Sequence, residues 1–188
     1  MTQPPERLIQ DLARGRLTRE SAPEIWDALH GPSATVFPDT AELPYRPLAV
    51  VHEYWKDMTR IDGVAQQLRI EPERIVGALG YVMLVDALEG GEGFRYALYG
   101  SRIASVAGFD MTGRLVTEVP TTLPTRLFFV ACYIAVQRHH APIYTVHQAP
   151  DDIMIGSWHR LMLPLGEGAE VRRLLVCNVP VDPHGRPK

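Results

Sequence analysis

Over the first eighty residues apolar positions recur every three or four residues, and from residue 81 onward they gather in runs of strand length. The first pattern is that of helices with one buried stripe, the second that of strands. Pro4 to Arg14 puts Leu8, Ile9 and Leu12 on one face, and Gly15 follows as a stop. Ser21-Ala22-Pro23-Glu24 reads as a capping box, with Ser21 capping a helix that carries Ile25, Trp26 and Leu29 and ends at Gly31. Between Pro32 and Pro47 there are four prolines and no period, which predicts an irregular connection. A third helix begins near Pro47 with Leu48, Val51, Trp55 and Met58 in line, and a shorter fourth starts at Glu71-Pro72-Glu73.

Tyr81–Leu88 and Phe94–Tyr99 read as a β-hairpin closed by Glu89-Gly90-Gly91-Glu92-Gly93. Short helical pieces follow at about 102–107 and 114–118. A long helix then runs from Leu123 to His139, capped by Thr122, with Pro124 in its first turn and Pro142 forbidding its continuation. That helix is apolar nearly all round, so it needs cover on more than one side. Ile143–Gln148, Ile155–Leu165 and Val171–Val179 complete the strands, joined by tight connections at 149–152 and 166–169 that suit antiparallel pairing.

This order predicts an α+β fold: a five-stranded antiparallel sheet with helices on one face, preceded by three to four N-terminal helices. Val82–Val85 is apolar on both sides, unlike a sheet with one wet face. The second face therefore needs a cover, and the N-terminal helices are the candidates, from the same chain or swapped in a homodimer. The chain divides into an N-terminal helical extension (1–46), a helical lead-in covering the sheet (47–80) and the sheet core (81–181).

Composition narrows the function. The 188 residues are 46% hydrophobic and 22% charged, an ordinary globular balance for one domain. A net charge of -3 without a basic stripe argues against nucleic acid. No apolar run reaches the ~18 residues that span a bilayer, and no signal peptide opens the chain, so no membrane partner is expected. Cys132 and Cys177 sit inside apolar runs, as buried thiols of a reducing compartment do, and a cytoplasmic location is expected.

Three stretches carry a family resemblance. They are Phe94-Arg95-Tyr96 leading to Gly100-Ser101, Gly108-Phe109-Asp110-Met111-Thr112-Gly113-Arg114, and Arg160-Leu161-Met162-Leu163-Pro164-Leu165, with Tyr54-Trp55 ahead of them. Over roughly residues 50–180 the chain resembles small bacterial stand-alone PAS-like proteins. The resemblance implies a PAS fold and a sensing or signalling role, and it implies no particular ligand or cofactor. The family often has an acidic residue where His159 stands.

Several residues are candidates for chemistry. The glycine-rich stretch 108–114 either shapes a cavity mouth, with Arg114 meeting an anion, or links two short helices with Asp110 as a cap. It lacks the lysine ending of a phosphate loop. No metal-ligand spacing joins the histidines: a turn near Asp151 would put His147 opposite residue 155, away from His159. His139 or His140 could hold a haem, as in some PAS sensors, or simply end the long helix, and Cys132 lies mid-helix rather than in a flavin-adduct motif. Ser157 and His159 share a strand face with no orienting acid. Asp86, inside an apolar strand, either titrates unusually or pairs with an arginine at the strand end.

The expectation is a sensory domain that binds a small ligand or a partner protein, works as a homodimer and signals to a separate partner protein, with no output domain of its own. The ligand-binding candidates are Tyr96, Leu98, Arg114, Phe129, Tyr133, Ser157 and His159. In the assigned strand phase, Phe94, Tyr96, Leu98, Ser157, His159 and Leu161 face the helices, while Arg95 and Arg160 point away. The rivals are a ligandless interaction module and a small enzyme with Asp86 or His159 as base; a non-enzyme is expected.

Overall fold

The computed structural model describes residues 3–89, 93–149 and 155–188. The helices are α1 (Glu6–Ala13), α2 (Pro23–Ala28), α3 (Arg46–Lys56), α4 (Ser101–Ala107) and α5 (Leu123–His139). The strands are β1 (Ser33–Val36), β2 (Arg60–Ile61), β3 (Val64–Ala65), β4 (Val82–Ala87), β5 (Phe94–Leu98), β6 (Ile143–Gln148), β7 (Ser157–Glu167) and β8 (Glu170–Val181). Residues 90–92 of the first predicted turn and 150–152 of the later connection, with its aspartates, lie outside the described residues.

The main sheet runs β1-β6-β7-β8-β4-β5, antiparallel throughout, and the short β2–β3 ribbon joins it through one parallel pair, Ala65 with Leu165. The five strands expected from the sequence are the last five of that order. The sixth, β1, pairs with β6 from Ser33↔Val146 to Val36↔Ile143, inside the stretch read as irregular. Gly166 sits at a bulge in the β7–β8 hairpin, where a Cβ would collide with the Glu170 carbonyl.

Helices lie on both faces. On one face α5 packs against the sheet through Phe128, Cys132 and Tyr133, meeting Met83, Val85, Phe94, Tyr96, Met162 and Val176. The outer side of α5 is covered in the same chain by α1 and α2, whose Leu8, Ile9, Leu12 and Ile25 are buried there. That double cover explains a helix that is apolar all round. On the opposite face α3 lays Leu48, Val51, Tyr54 and Trp55 over Leu161, Leu163, Leu165, Leu175 and Cys177. The Trp55 indole donates a buried hydrogen bond to the Pro164 carbonyl at 3.0 Å.

Local details depart from the sequence reading in three places. Ser21 does not cap α2: it closes a single turn, Arg19–Ser21, accepting from the Thr18 amide at 3.1 Å and donating to the Asp11 carboxylate at 2.7 Å. The helix after Glu71 is two 3₁₀ segments, Pro72–Arg74 and Val76–Tyr81, because Gly77 and Gly80 weaken a continuous α-helix. The piece at 114–118 shortens to one turn, Val116–Glu118. Thr122 does cap α5, with its hydroxyl accepting from the Thr125 amide at 3.4 Å, and His140 ends the helix in the left-handed region. No helix among the described residues is long and apolar enough to cross a membrane.

Candidate functional site

Strands β6, β7 and β8 turn their alternate residues toward α5, and at one end of that face the packing is incomplete. A cavity of about 770 Å³ opens there, between the sheet, α2, α4 and the start of α5. Its volume falls within the roughly 300–1,000 Å³ typical of small-molecule sites. The walls are mostly apolar: Leu29 at the end of α2, Tyr99, Val106 and Phe109 around α4, Phe129 of α5, and Trp158 of β7. Ala28, Pro120, Thr122 and Gln148 form the exposed rim.

The floor is polar. Strand register places Thr145, Arg160 and Asn178 side by side across β6, β7 and β8, with His147 and Trp158 paired in the next row. Arg160 is 4% exposed, Asn178 2% and His147 4%. Among the described residues, Arg160 Nε and Nη1, Asn178 Oδ1, His147 Nδ1 and Thr145 Oγ1 have no hydrogen-bond partner. Buried polar groups are nearly always paired, so five such atoms in one neighbourhood are unusual. The Arg160 guanidinium lies over the Phe129 ring, 3.9 Å from its centroid. That stacking occupies the flat face of the guanidinium and leaves its in-plane N–H donors unspent. Burial, and then the Arg160 charge, hold His147 well below its usual pKa, so its imidazole is neutral.

The reverse side of the same strands is satisfied. His159 Nδ1 meets the Tyr144 hydroxyl at 2.6 Å, its Nε2 meets the Ser157 hydroxyl at 3.2 Å, and the Tyr45 ring packs edge-on against it. Desolvation lowers the His159 pKa to about 4.

Comparison with known proteins adds one finding: the family model for the PAS domain matches residues 45–175 of the 188. The chain belongs to the PAS domain family. No curated protein and no solved structure matches it. The PAS match takes in most of the cavity, while Ala28 and Leu29 at the end of α2 and Asn178 of β8 come from outside the matched stretch.

Within this PAS domain the sequence-derived candidates scatter. Phe129 lines the cavity; Tyr96 and Tyr133 are wholly buried behind its wall, with Tyr96 edge-on to Tyr99. Leu98 is 42% exposed on the edge strand. Arg114 is exposed: its backbone carbonyl, with the Gly113 amide, hooks onto both backbone groups of Tyr96. The glycine-rich stretch thus fastens to the β5 edge, and Asp110 accepts from the Thr112 amide at 2.8 Å in a turn. Gly108 ends α4 in the left-handed conformation.

The phase assigned to β7 is corrected. Ser157, His159 and Leu161 face α3, and Arg160 faces the cavity. The hairpin before it is longer than expected, pairing His147 with Trp158 rather than with residue 155. Asp86 pairs with Arg173, which also donates to the Leu68 carbonyl at 3.0 Å. His139 is exposed at the end of α5, and no group of three His, Cys, Asp or Glu among the described residues is arranged to hold a metal.

Arg160, Asn178 and His147, which line the cavity, are not among the candidates the sequence points to. The signal was present: Arg160 and Asn178 each interrupt a strand that is apolar on both sides, which leaves a polar side chain no wet face to occupy.

Proposed function

We propose that this PAS domain is a sensor of a small organic molecule bound between the sheet, α2, α4 and α5, and that it is not an enzyme. The observation that carries this reading is a cavity with apolar walls whose floor is lined by the buried side chains of Arg160, Asn178 and His147, each of which holds polar atoms without a partner. A filled core would have no use for them, because an unpaired buried polar group costs about 1–3 kcal/mol. A bound molecule that pairs them recovers that cost.

Leu29 links the site to the rest of the chain, since α2 touches the cavity on one side and packs with α1 on α5. A ligand that favours one placement of α2 shifts the populations of two states, which is all a sensor requires. On this reading the domain works as a cytoplasmic homodimer and hands its state to a separate partner protein through α1 and α2.

Native mass spectrometry of freshly purified protein tests the reading. The expected result is a second species heavier by one small molecule, collapsing to the bare mass on denaturation. A bare mass under native conditions, with no thermal shift across a broad metabolite library, overturns it. Light scattering with and without the recovered ligand reads the homodimer.

A further inference from the structure

We propose that the cavity selects an organic monocarboxylate with an apolar body, its carboxylate held by the Arg160 fork and the Asn178 amide. This rests on the small-molecule reading above and names the ligand class. Three features of the floor lead to it.

The first is charge. Arg160 is a permanently charged side chain, 4% exposed, and no acidic side chain among the described residues forms an ion pair with it. Buried charges are ordinarily paired, because an isolated one is strongly penalised. A group brought in by the ligand fills that role. The second is geometry. With Phe129 stacked on the flat face, the guanidinium's donors lie in its plane, where two neighbouring N–H groups can meet two carboxylate oxygens at once. The third is the neighbourhood. Asn178 is the cross-strand partner of Arg160, and its amide offers an acceptor or, turned about, a donor beside the fork.

The same neighbourhood limits the ligand. One guanidinium supplies one unit of positive charge, and the adjacent His147 is neutral. A dianion such as a phosphate monoester would bury a second negative charge with nothing to balance it. A neutral molecule would leave the guanidinium uncompensated. The walls of Leu29, Val106, Phe109, Phe129 and Trp158 call for an aliphatic or aromatic body behind the head group.

The test titrates the full-length protein with matched pairs: 4-phenylbutanoate against 4-phenylbutanamide, and octanoate against octanamide. Binding is followed by the NMR signals of the Trp158 indole and the Asn178 side-chain amide, with Trp26 as an internal control. The expected result is that both acids move the Trp158 and Asn178 signals and bind at least about tenfold more tightly than their amides, the scale of a charge-assisted hydrogen bond. Arg160→Met removes the acid–amide difference, and Arg160→Lys, which keeps the charge without the fork, retains part of it. Equal affinity for acid and amide overturns the carboxylate proposal while leaving a small-molecule site in place. Failure of every probe to move the Trp158 signal overturns the cavity reading as well. Should Arg160→Met fail to fold, the acid–amide comparison on the unaltered protein decides alone.

Discussion

Strands β7 and β8 contribute to both sides of the molecule, and the two sides are built differently. Toward α3, Leu161, Leu163, Leu165, Leu175 and Cys177 are fully buried, and the polar atoms of Trp55 and His159 have partners. Toward α5, one residue along, the same strands present Arg160 and Asn178 with none. The apolar residues behind α3 are spent on stability. The row facing the cavity leaves polar atoms of Arg160 and Asn178 without partners. Since a domain's net stability is only about 5–15 kcal/mol, both uses of one sheet depend on the filled side carrying the load.

The comparison breaks most visibly at Trp55. Trp55→Ala empties a buried aromatic site and strips the Pro164 carbonyl of its donor. The expected loss is about 3–5 kcal/mol, read from urea unfolding. A loss under about 1 kcal/mol would mean the α3 side is not the stabilising one.

The strand phase on which this comparison turns was the least legible feature of the sequence. Alternation assigns faces only when one face is wet. Trp158 and Met162 are as apolar as Leu161 and Leu163, so the pattern in β7 carries no phase. The phase that turns Ser157 and His159 toward the helices turns Arg160 away from them, and nothing in the pattern opposes it. The long helix α5 was legible because Thr122, Pro124 and Pro142 mark its ends chemically. The edge strand β1 was not: four residues between prolines, half exposed, give no period. The α+β class and the five core strands followed from run lengths and turn chemistry, which do not depend on phase.

Acid should expose the second difference. His159 titrates near pH 4 in the folded chain and His147 and His52 are also lowered, all chiefly by burial. The unfolded chain, with ordinary imidazoles near 6.5, therefore binds protons first as pH falls. Stability is full above pH 6.5 and is lost between about pH 6.5 and 4, with His159 contributing on the order of 2 kcal/mol after allowing for its partial exposure. His159→Gln should flatten this acid slope, measured as unfolding midpoint against pH; an unchanged slope would remove His159 from the account.

On the cavity side the sign reverses. Arg160→Met exchanges an unpaired buried charge for an apolar chain of similar length, and the ligand-free protein should gain about 1–2 kcal/mol while losing its preference for acids. Thermal unfolding of stripped protein reads the gain. A destabilisation of that size instead would show that Arg160 is already paired in the folded chain and is part of its fabric.

Asp86→Asn gives the smallest expected effect and separates the two sides most cleanly. Asp86 follows Val82 and Leu84 on the α3 side of β4, at the far end of the sheet, and its partner Arg173 keeps a second bond to the Leu68 carbonyl. Both side chains are partly exposed, at 33% for Asp86 and 24% for Arg173, so solvent screens the pair and rehydrates the arginine once it is broken. The expected cost is about 0.5–1 kcal/mol in urea unfolding, with ligand affinity unaltered. Were Asp86 instead a base serving the cavity, its replacement would change binding or turnover there and leave stability untouched. That opposite pattern would move the chemistry of this domain to the side of the sheet now assigned to its stability.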